Sequence, residues 1–575
     1  MLAVVLLLPG SLFAENAELA KVFKEYYEAG LADSPESATQ AGRRDYNDRW
    51  TDYTPRARQA ARQRRQDFLE RLKAFDGVAL SEQERLSVQL LRNQVEQGAE
   101  AERKIGSYMT INHFTGPHLV VPATLGLAPV ETVKDFEDRI ARLKALPKYV
   151  DGVIAAAEDA KSKGLLPPKL VVERMLQQLD MQRSAPAEKS PLLAAFAQLP
   201  AAVPAAEQER LRRQAAEAYG SAFQPAWAKL RDYVSSAYLP AARSSIGVSA
   251  LPEGEARYAT FVRIMTTTDL TPQQIHELGL KEVARVAAAM AAIRRELQFE
   301  GSHAAFVDQV LDAPAMRFRS EAEVLTHGRD IAKRADPELP RLFRTLPRMP
   351  YGVRAIPADR ARTAAPYYEG PALDGSRAGN FYLRTVDPEK QSKCCMQALI
   401  LHEAVPGHHL QVALAAEMAL PEFRRMGRYI AYGEGWGLYA ESLGTELGMY
   451  ETPYERYGQL QSELFRSLRL VVDTGIHALG WSREKAIATL SQAQGGWMDA
   501  AFIASEVDRY IAMPAQALSY KVGELKIQEL KKRAQSRLGA KFDIREFHDV
   551  ILRSGPLPLS LLESEVNRWL EQPRP

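Results

Sequence analysis

The octapeptide His402-Glu403-Ala404-Val405-Pro406-Gly407-His408-His409 gathers three of the ten histidines of a 575-residue chain beside a carboxylate. A mostly apolar run, Met396 to Leu401, leads into it as a helix entering a core would. A second cluster, Glu434-Gly435-Trp436-Gly437-Leu438-Tyr439-Ala440-Glu441, begins 26 residues after His408. These residue types suit a catalytic zinc. Such an ion takes three protein ligands, commonly two neutral imidazoles and a carboxylate, and leaves a position for a water whose pKa falls to about 7. A further carboxylate must then accept that water's proton.

Regular helix geometry works against the site. In the usual HExxH helix the histidines are four residues apart on one face, but here the fourth position is Pro406. On a continuous helix His408 would lie about 600° and 9 Å beyond His402, and His409 about 700° and 10.5 Å beyond it. Neither could share a metal with His402. Pro406 and Gly407 supply the way out, because one removes a backbone donor and the other accepts dihedrals that side chains resist. The extra residues can loop out and return a later imidazole to His402, with His408 expected and His409 in reserve. An ordinary helix end closed by a Pro-Gly turn is the competing reading. The third histidine, the apolar lead-in and the downstream glutamate favour the metal.

The stretch resembles the HExxPGHHLQ signature of a bacterial family of unknown function (domain family 885), grouped with gluzincin zinc metallopeptidases. It is also similar to the HExGH helix of thimet oligopeptidase-like and carboxypeptidase Taq-like enzymes, with two residues inserted before Gly407-His408. The resemblance implies that His402, His408 and Glu434 bind one zinc per chain, that Glu403 is the general base, and that Glu441 supports the ligands from behind. It further implies a mainly α, two-lobed zincin-like fold with a deep central cleft that admits short peptides and excludes folded proteins.

Residues 1 to 14, apolar over Met1 to Leu8 and ending in Ala14, read as a signal peptide lacking its basic n-region. The run is too short to span a bilayer, and no cysteine follows it for lipid attachment, so an exported protein, periplasmic or secreted, is expected. With 46% hydrophobic and 25% charged residues, and 74 basic against 72 acidic side chains, the chain can bury a large core and has no global basic surface for nucleic acid. The only cysteines, Cys394 and Cys395, are adjacent and cannot staple distant segments. They are expected to pack ahead of the zinc helix.

Helical periodicity runs over Ala17–Gly30, Pro55–Ala74, Ser81–Lys104, Val130–Leu146 and Lys148–Lys163. Thr110 to Pro122 is aperiodic and holds His113 and His118, which could rim a cleft or be plain loop residues. Irregular stretches at Ser190–Ala206 and Tyr238–Glu255 suggest an N-terminal helical lobe over 15–240 and a catalytic lobe over 241–575. The remainder from Thr271 is also mostly helical, and no internal repeat is evident. One segment has strand character: Tyr367-Tyr368, then the turn chemistry of Asp374-Gly375-Ser376 and Ala378-Gly379, then Asn380 to Thr385. A small β-ribbon beside the zinc helix, carrying Tyr382, is similar to the strand that holds substrate backbone in gluzincins, although a structural hairpin reads equally well.

After Glu441, Arg469, Asp473 and His477 fall at four-residue steps along one helical stripe. Asp473 could orient His477, and Arg469 could meet Asp473 or a substrate carboxylate. A structural ion pair is the plainer alternative. Further on, Glu506 to Lys521 holds Arg509, Tyr510, Gln516 and Tyr520. By resemblance to the tyrosine-rich segment of the thimet family, Tyr520 is the first choice to steady an oxyanion, with Tyr510 or His477 behind it. Arg509 and Gln516 are candidates for the substrate terminus. The family usually has Pro-Gly-Gln-Ala where this chain has Ala515. The resulting expectation is a zinc peptidase of carboxypeptidase or oligopeptidase type. A zinc hydrolase acting on another amide or an ester, and an inactive zinc-binding scaffold, stand as alternatives from other classes.

Overall fold

Side-chain caps start the N-terminal helices where the sequence places them. In the computed structural model, which describes residues 16–573 apart from 185–186, 312, 358–360, 362–364, 374 and 376, helix α1 spans Ala17–Asp33 and is capped by Asn16. Helix α2 (Pro55–Lys73) has a Thr54 cap and proline in its first turn; α3 (Glu82–Lys104) opens with a reciprocal Ser81/Glu84 capping box. The leader over 1–14 and the turn residues Asp374 and Ser376 lie outside the described residues. The aperiodic stretch resolves at Gly116, after which Pro117–Leu127 is helical. The two helices expected on either side of Pro147 are one, α4 (Val133–Ser162). Leu143, Leu146, Tyr149 and Val150 are buried on both sides of the proline, and that continuous apolar face outweighs the single lost hydrogen bond.

Two hydrophobic cores form, but they do not divide at residue 240. The smaller is built from Trp50 and from residues between Ile111 and Tyr238, including Phe136, Trp227 and Leu230. The larger joins Leu19, Phe68 and Leu91 to the chain from Val248 onward. The first three helices thus belong with the C-terminal body. The reason is local: α1 must cover its apolar stripe, and Phe23 finds Phe423 at a ring separation of 5.2 Å.

A three-stranded sheet of order β1-β3-β2 comprises β1 (Tyr351–Ala355), β2 (Tyr367–Glu369) and β3 (Gly379–Leu383). The expected ribbon is the antiparallel β2–β3 pair, with Tyr367 opposite Tyr382. The parallel strand β1 is an addition, and its single buried residue, Val353, left little pattern to read. Its presence makes β3 the central strand, so Tyr382 lies on a strand with both edges already paired. The free edge beside the site belongs to β2.

The remaining elements around the octapeptide are α5 (Met396–Glu403), α6 (His408–Glu417), α7 (Ile430–Ser442), α8 (Pro453–His477), α9 (Ala500–Ala512) and α10 (Ser519–Leu538). Helices α7 and α10 touch backbone to backbone. A Cβ on Gly435 would lie 2.5 Å from the Gly523 backbone, and one on Gly523 would lie 1.8 Å from the Ala431 carbonyl. Glycine at both positions is what allows α10 to bring Tyr520 up to the site. No helix among the described residues is long and apolar enough to cross a membrane.

Candidate metal centre

The Pro-Gly step breaks the helix as its chemistry requires. Helix α5 stops at Glu403, Ala404 leaves helical dihedrals (φ −97°, ψ −111°), the Val405–Pro406 peptide is cis, and Gly407 (φ −77°, ψ −126°) turns the chain into α6. A Cβ on Gly407 would sit 1.9 Å from the His402 carbonyl oxygen, so only glycine fits this reversal. The Trp436 indole N–H donates to the Pro406 carbonyl at 2.8 Å and ties the loop to α7. His402 and His408 are thereby brought together, with ring centroids 4.7 Å apart and planes at 86°.

Glu434 closes the triangle. Its Oε2 lies 3.5 Å from Nε2 of His402 and 3.5 Å from Nε2 of His408. A tetrahedral zinc with ligand bonds of about 2.0–2.1 Å sets its ligand atoms about 3.3–3.4 Å apart, close to these two distances. Glu403 also reaches the group, its carboxylate lying within 4.8 Å of ligand atoms of both histidines. His409 does not. Its Nε2–H donates to the Met349 carbonyl at 3.0 Å and its Nδ1 accepts the Tyr368 hydroxyl at 2.8 Å, which fastens the ring to the sheet.

The support behind the ligands is equally specific. A carboxylate only accepts, so the 2.8 Å contact between His402 Nδ1 and Glu441 Oε1 keeps a proton on Nδ1 and makes Nε2, which faces Glu434, the nitrogen that would be free to hold an ion. Gly437 leaves room for this ring, since a Cβ there would lie 2.7 Å from His402 Cε1. Every residue of the Glu434-Gly435-Trp436-Gly437 motif is thus accounted for, in order, as the carboxylate facing both imidazoles, helix crossing, loop anchor and space for the His402 ring.

Electrostatics separates the two glutamates. Burial pushes the Glu434 carboxyl up, but hydrogen bonds from both imidazoles reverse this and hold it far below the usual carboxylate range. Burial raises Glu403, with the nearby imidazoles only partly opposing it. For His402 burial lowers the pKa, and its hydrogen bonds to Glu434 and Glu441 outweigh that and raise it to about 9. One carboxylate is thus a fixed anion, and the other holds a proton more readily, as proton transfer requires.

A cavity of about 370 Å³ opens onto His408 and Glu434. Its wall includes Tyr368, Glu369 and Gly370, so the edge strand β2 borders it. The Tyr520 ring stacks with the His402 imidazole at a centroid separation of 6.3 Å and 21° between planes, and the Arg469 guanidinium lies 4.4 Å over Tyr520.

The other expected site residues form a cluster that does not line this cavity. Arg469 donates to the Tyr510 hydroxyl and to Glu506, both at 3.2 Å; Arg509 pairs with Glu506 and donates to Gln516. His477 is fully buried, its Nδ1 accepting the Val248 N–H at 3.2 Å and its Nε2–H donating to the Tyr510 carbonyl at 3.0 Å. Both nitrogens serve backbone, so the oxyanion role expected of His477 has no free donor. Asp473 does not orient His477 either. It accepts the Tyr258 hydroxyl at 2.6 Å and the Ala515 N–H at 3.0 Å, while burial raises its carboxyl to about 7. Ala515 adopts the left-handed φ of 65° that suits the glycine usual in the family, held there by this bond. Asp473→Ala should therefore cost roughly 2–5 kcal/mol of stability by stranding two buried donors, measured by urea unfolding.

His118 is buried and bonded to Gln178, away from any rim. Cys394 and Cys395 pack ahead of α5, Cys394 Sγ lying 3.3 Å from Ser392 Oγ and Cys395 donating to the Gly458 carbonyl at 3.1 Å. Among the cavity residues that the sequence reading did not single out is Arg428, on the loop that leads into α7.

A model of the family described as "Bacterial protein of unknown function (DUF885)" matches residues 35–566. Among solved structures, a "putative lipoprotein" from Colwellia psychrerythraea is 30% identical with a TM-score of 0.91, over 96% of this chain and 99% of that one. A "putative lipoprotein of unknown function" from Shewanella oneidensis is 19% identical with a TM-score of 0.73, over 95% and 99% of the two chains, and shares the fold. No curated protein matches the chain significantly.

Proposed function

This chain belongs to the bacterial DUF885 family, and we propose, from the site it carries, that it is a zinc-dependent peptidase acting on short peptides. The observation that carries the reading is that Glu434 Oε2 lies 3.5 Å from Nε2 of His402 and 3.5 Å from Nε2 of His408, with the Glu403 carboxylate within 4.8 Å of ligand atoms of both histidines. A zinc ion held by the three would polarise a scissile carbonyl and acidify a water.

The chain's own residues do the rest. Glu403 takes the proton of the attacking water and returns it to the departing amine, a transfer its burial-raised pKa favours. The Tyr520 hydroxyl, stacked over His402 and steadied by Arg469, donates to the oxygen of the tetrahedral intermediate. Glu441 keeps the His402 ring and tautomer in place.

The peptide part of the proposal draws support from two features. The cavity is at the small end of the range for ligand sites, about 300–1,000 Å³, which suits short chains. The free edge of β2 borders it and offers backbone groups to an extended substrate, in place of the strand that carries Tyr382. A two-lobed zincin-like architecture, with this cavity in its cleft, is part of the same reading. So is export to the periplasm or medium, which the relatives described as lipoproteins support.

The test is incubation of the purified protein with a mixture of three- to ten-residue peptides before and after chelation. The expected result is cleavage lost on chelation and restored by one equivalent of zinc. Unchanged peptides at every zinc level would overturn the reading.

A further inference from the structure

Arg428 is placed where two cavities meet. It lines the cavity that opens onto His408 and Glu434, and also a second one of about 580 Å³ walled by Tyr26, Tyr27, Gln94 and Gln97 of α1 and α3. The second cavity is otherwise uncharged, its described lining consisting of tyrosines, glutamines, serines, glycines and apolar side chains. The cation therefore faces space on two sides.

The other arginines of the metal-side cavity are engaged. Arg377 bonds Glu369; Arg425 donates to the Ala416 carbonyl at 3.2 Å and lies 3.7 Å from Glu422. Arg428 has no hydrogen bond or ion pair among the described residues, and it is exposed toward the cavities. The first turn of α7, which follows it, carries no acidic residue and no side-chain cap to neutralise it. The remaining carboxylates of the lining, Glu369 and Glu434, are taken by Arg377 and by the two imidazoles. Desolvation by the surrounding wall, with no offsetting anion, lowers its pKa. A guanidinium in this setting is complementary to a carboxylate, which it can hold through two parallel hydrogen bonds.

We propose that Arg428 is the carboxylate anchor of the substrate site, so that preferred substrates are short peptides bearing a carboxylate. The assignment rests on the peptidase reading for its substrate class. The carboxylate can come from the peptide C-terminus or from an acidic side chain. Either source presents the same group to Arg428.

Binding is measured by calorimetry to the zinc-loaded Glu403→Gln protein, which holds substrate without turning it over. Two matched pairs are used: Ala-Ala-Ala as acid and as amide, and the amides of Ala-Glu-Ala and Ala-Gln-Ala. At least one pair should show a tenfold or greater preference for the carboxylate form. Adding Arg428→Gln should remove that preference, and Arg428→Lys should keep part of it. A preference in the first pair assigns the C-terminus, and in the second the side chain. No preference in either pair, or one that survives Arg428→Gln, overturns the anchor. Hydrolysis by the wild type is scored separately. Cleavage of all four peptides with no charge preference would sink the anchor and keep the peptidase, whereas an Arg428-dependent binding preference without any cleavage would do the reverse.

Discussion

Glu403→Gln should lower kcat on any cleaved peptide by about 10²–10⁴-fold, the usual contribution of a positioned acid–base group, while the protein folds and keeps its zinc. Glutamine matches glutamate in shape but cannot take a proton from water. The loss should therefore fall on kcat, with KM little changed. The metal content of the same variant separates two geometries that the site allows. Glu403 lies near both histidines, but the 3.5 Å contacts to both Nε2 atoms belong to Glu434. If Glu403→Gln lost the metal and Glu434→Gln retained it, the roles of the two carboxylates would be exchanged.

Glu441→Ala should weaken zinc binding by about 10–100-fold, the range for outer partners of metal-bound histidines, although Glu441 is too far behind His402 to touch the ion. Its carboxylate is fully buried, accepts the proton on His402 Nδ1, and has Arg466 at 3.7 Å. Removing it frees the ring to rotate and lets the proton shift to Nε2, the atom needed for the metal. Glu441→Gln should be milder, because an amide oxygen can still accept from Nδ1. Competition with a chromophoric chelator measures both variants. Equal affinities for wild type and Glu441→Ala would show that Gly437 and the surrounding packing alone fix the imidazole.

The sequence revealed much of this site because its chemistry is local. Pro406 and Gly407 stand where the spacing demands a break, and Glu434 and Glu441 are seven residues apart on one helix, so each position followed from helical geometry together with the family resemblance. The choice between His408 and His409 was not legible, because it depends on Tyr368 and Met349, residues of the sheet region that capture His409. The stripe of Arg469, Asp473 and His477 shows the same limit. Their common helix face was readable, but their partners, Tyr510, Tyr258 and the backbone at Val248 and Ala515, come from other elements. Arg428 lies on a loop without periodicity, and only the fold places it at a cavity. The composition of the two hydrophobic cores was not legible for a similar reason: the apolar stripe of α1 meets Phe423, about four hundred residues away in the chain.

The most direct measurement is elemental analysis of the purified protein alongside His408→Ala and His409→Ala. The zinc proposal gives the expected result: about one zinc per chain in the wild type and in His409→Ala, and little or none in His408→Ala. A folded wild type that takes up no stoichiometric zinc after reconstitution, or one that loses it through His409 instead, would contradict the account.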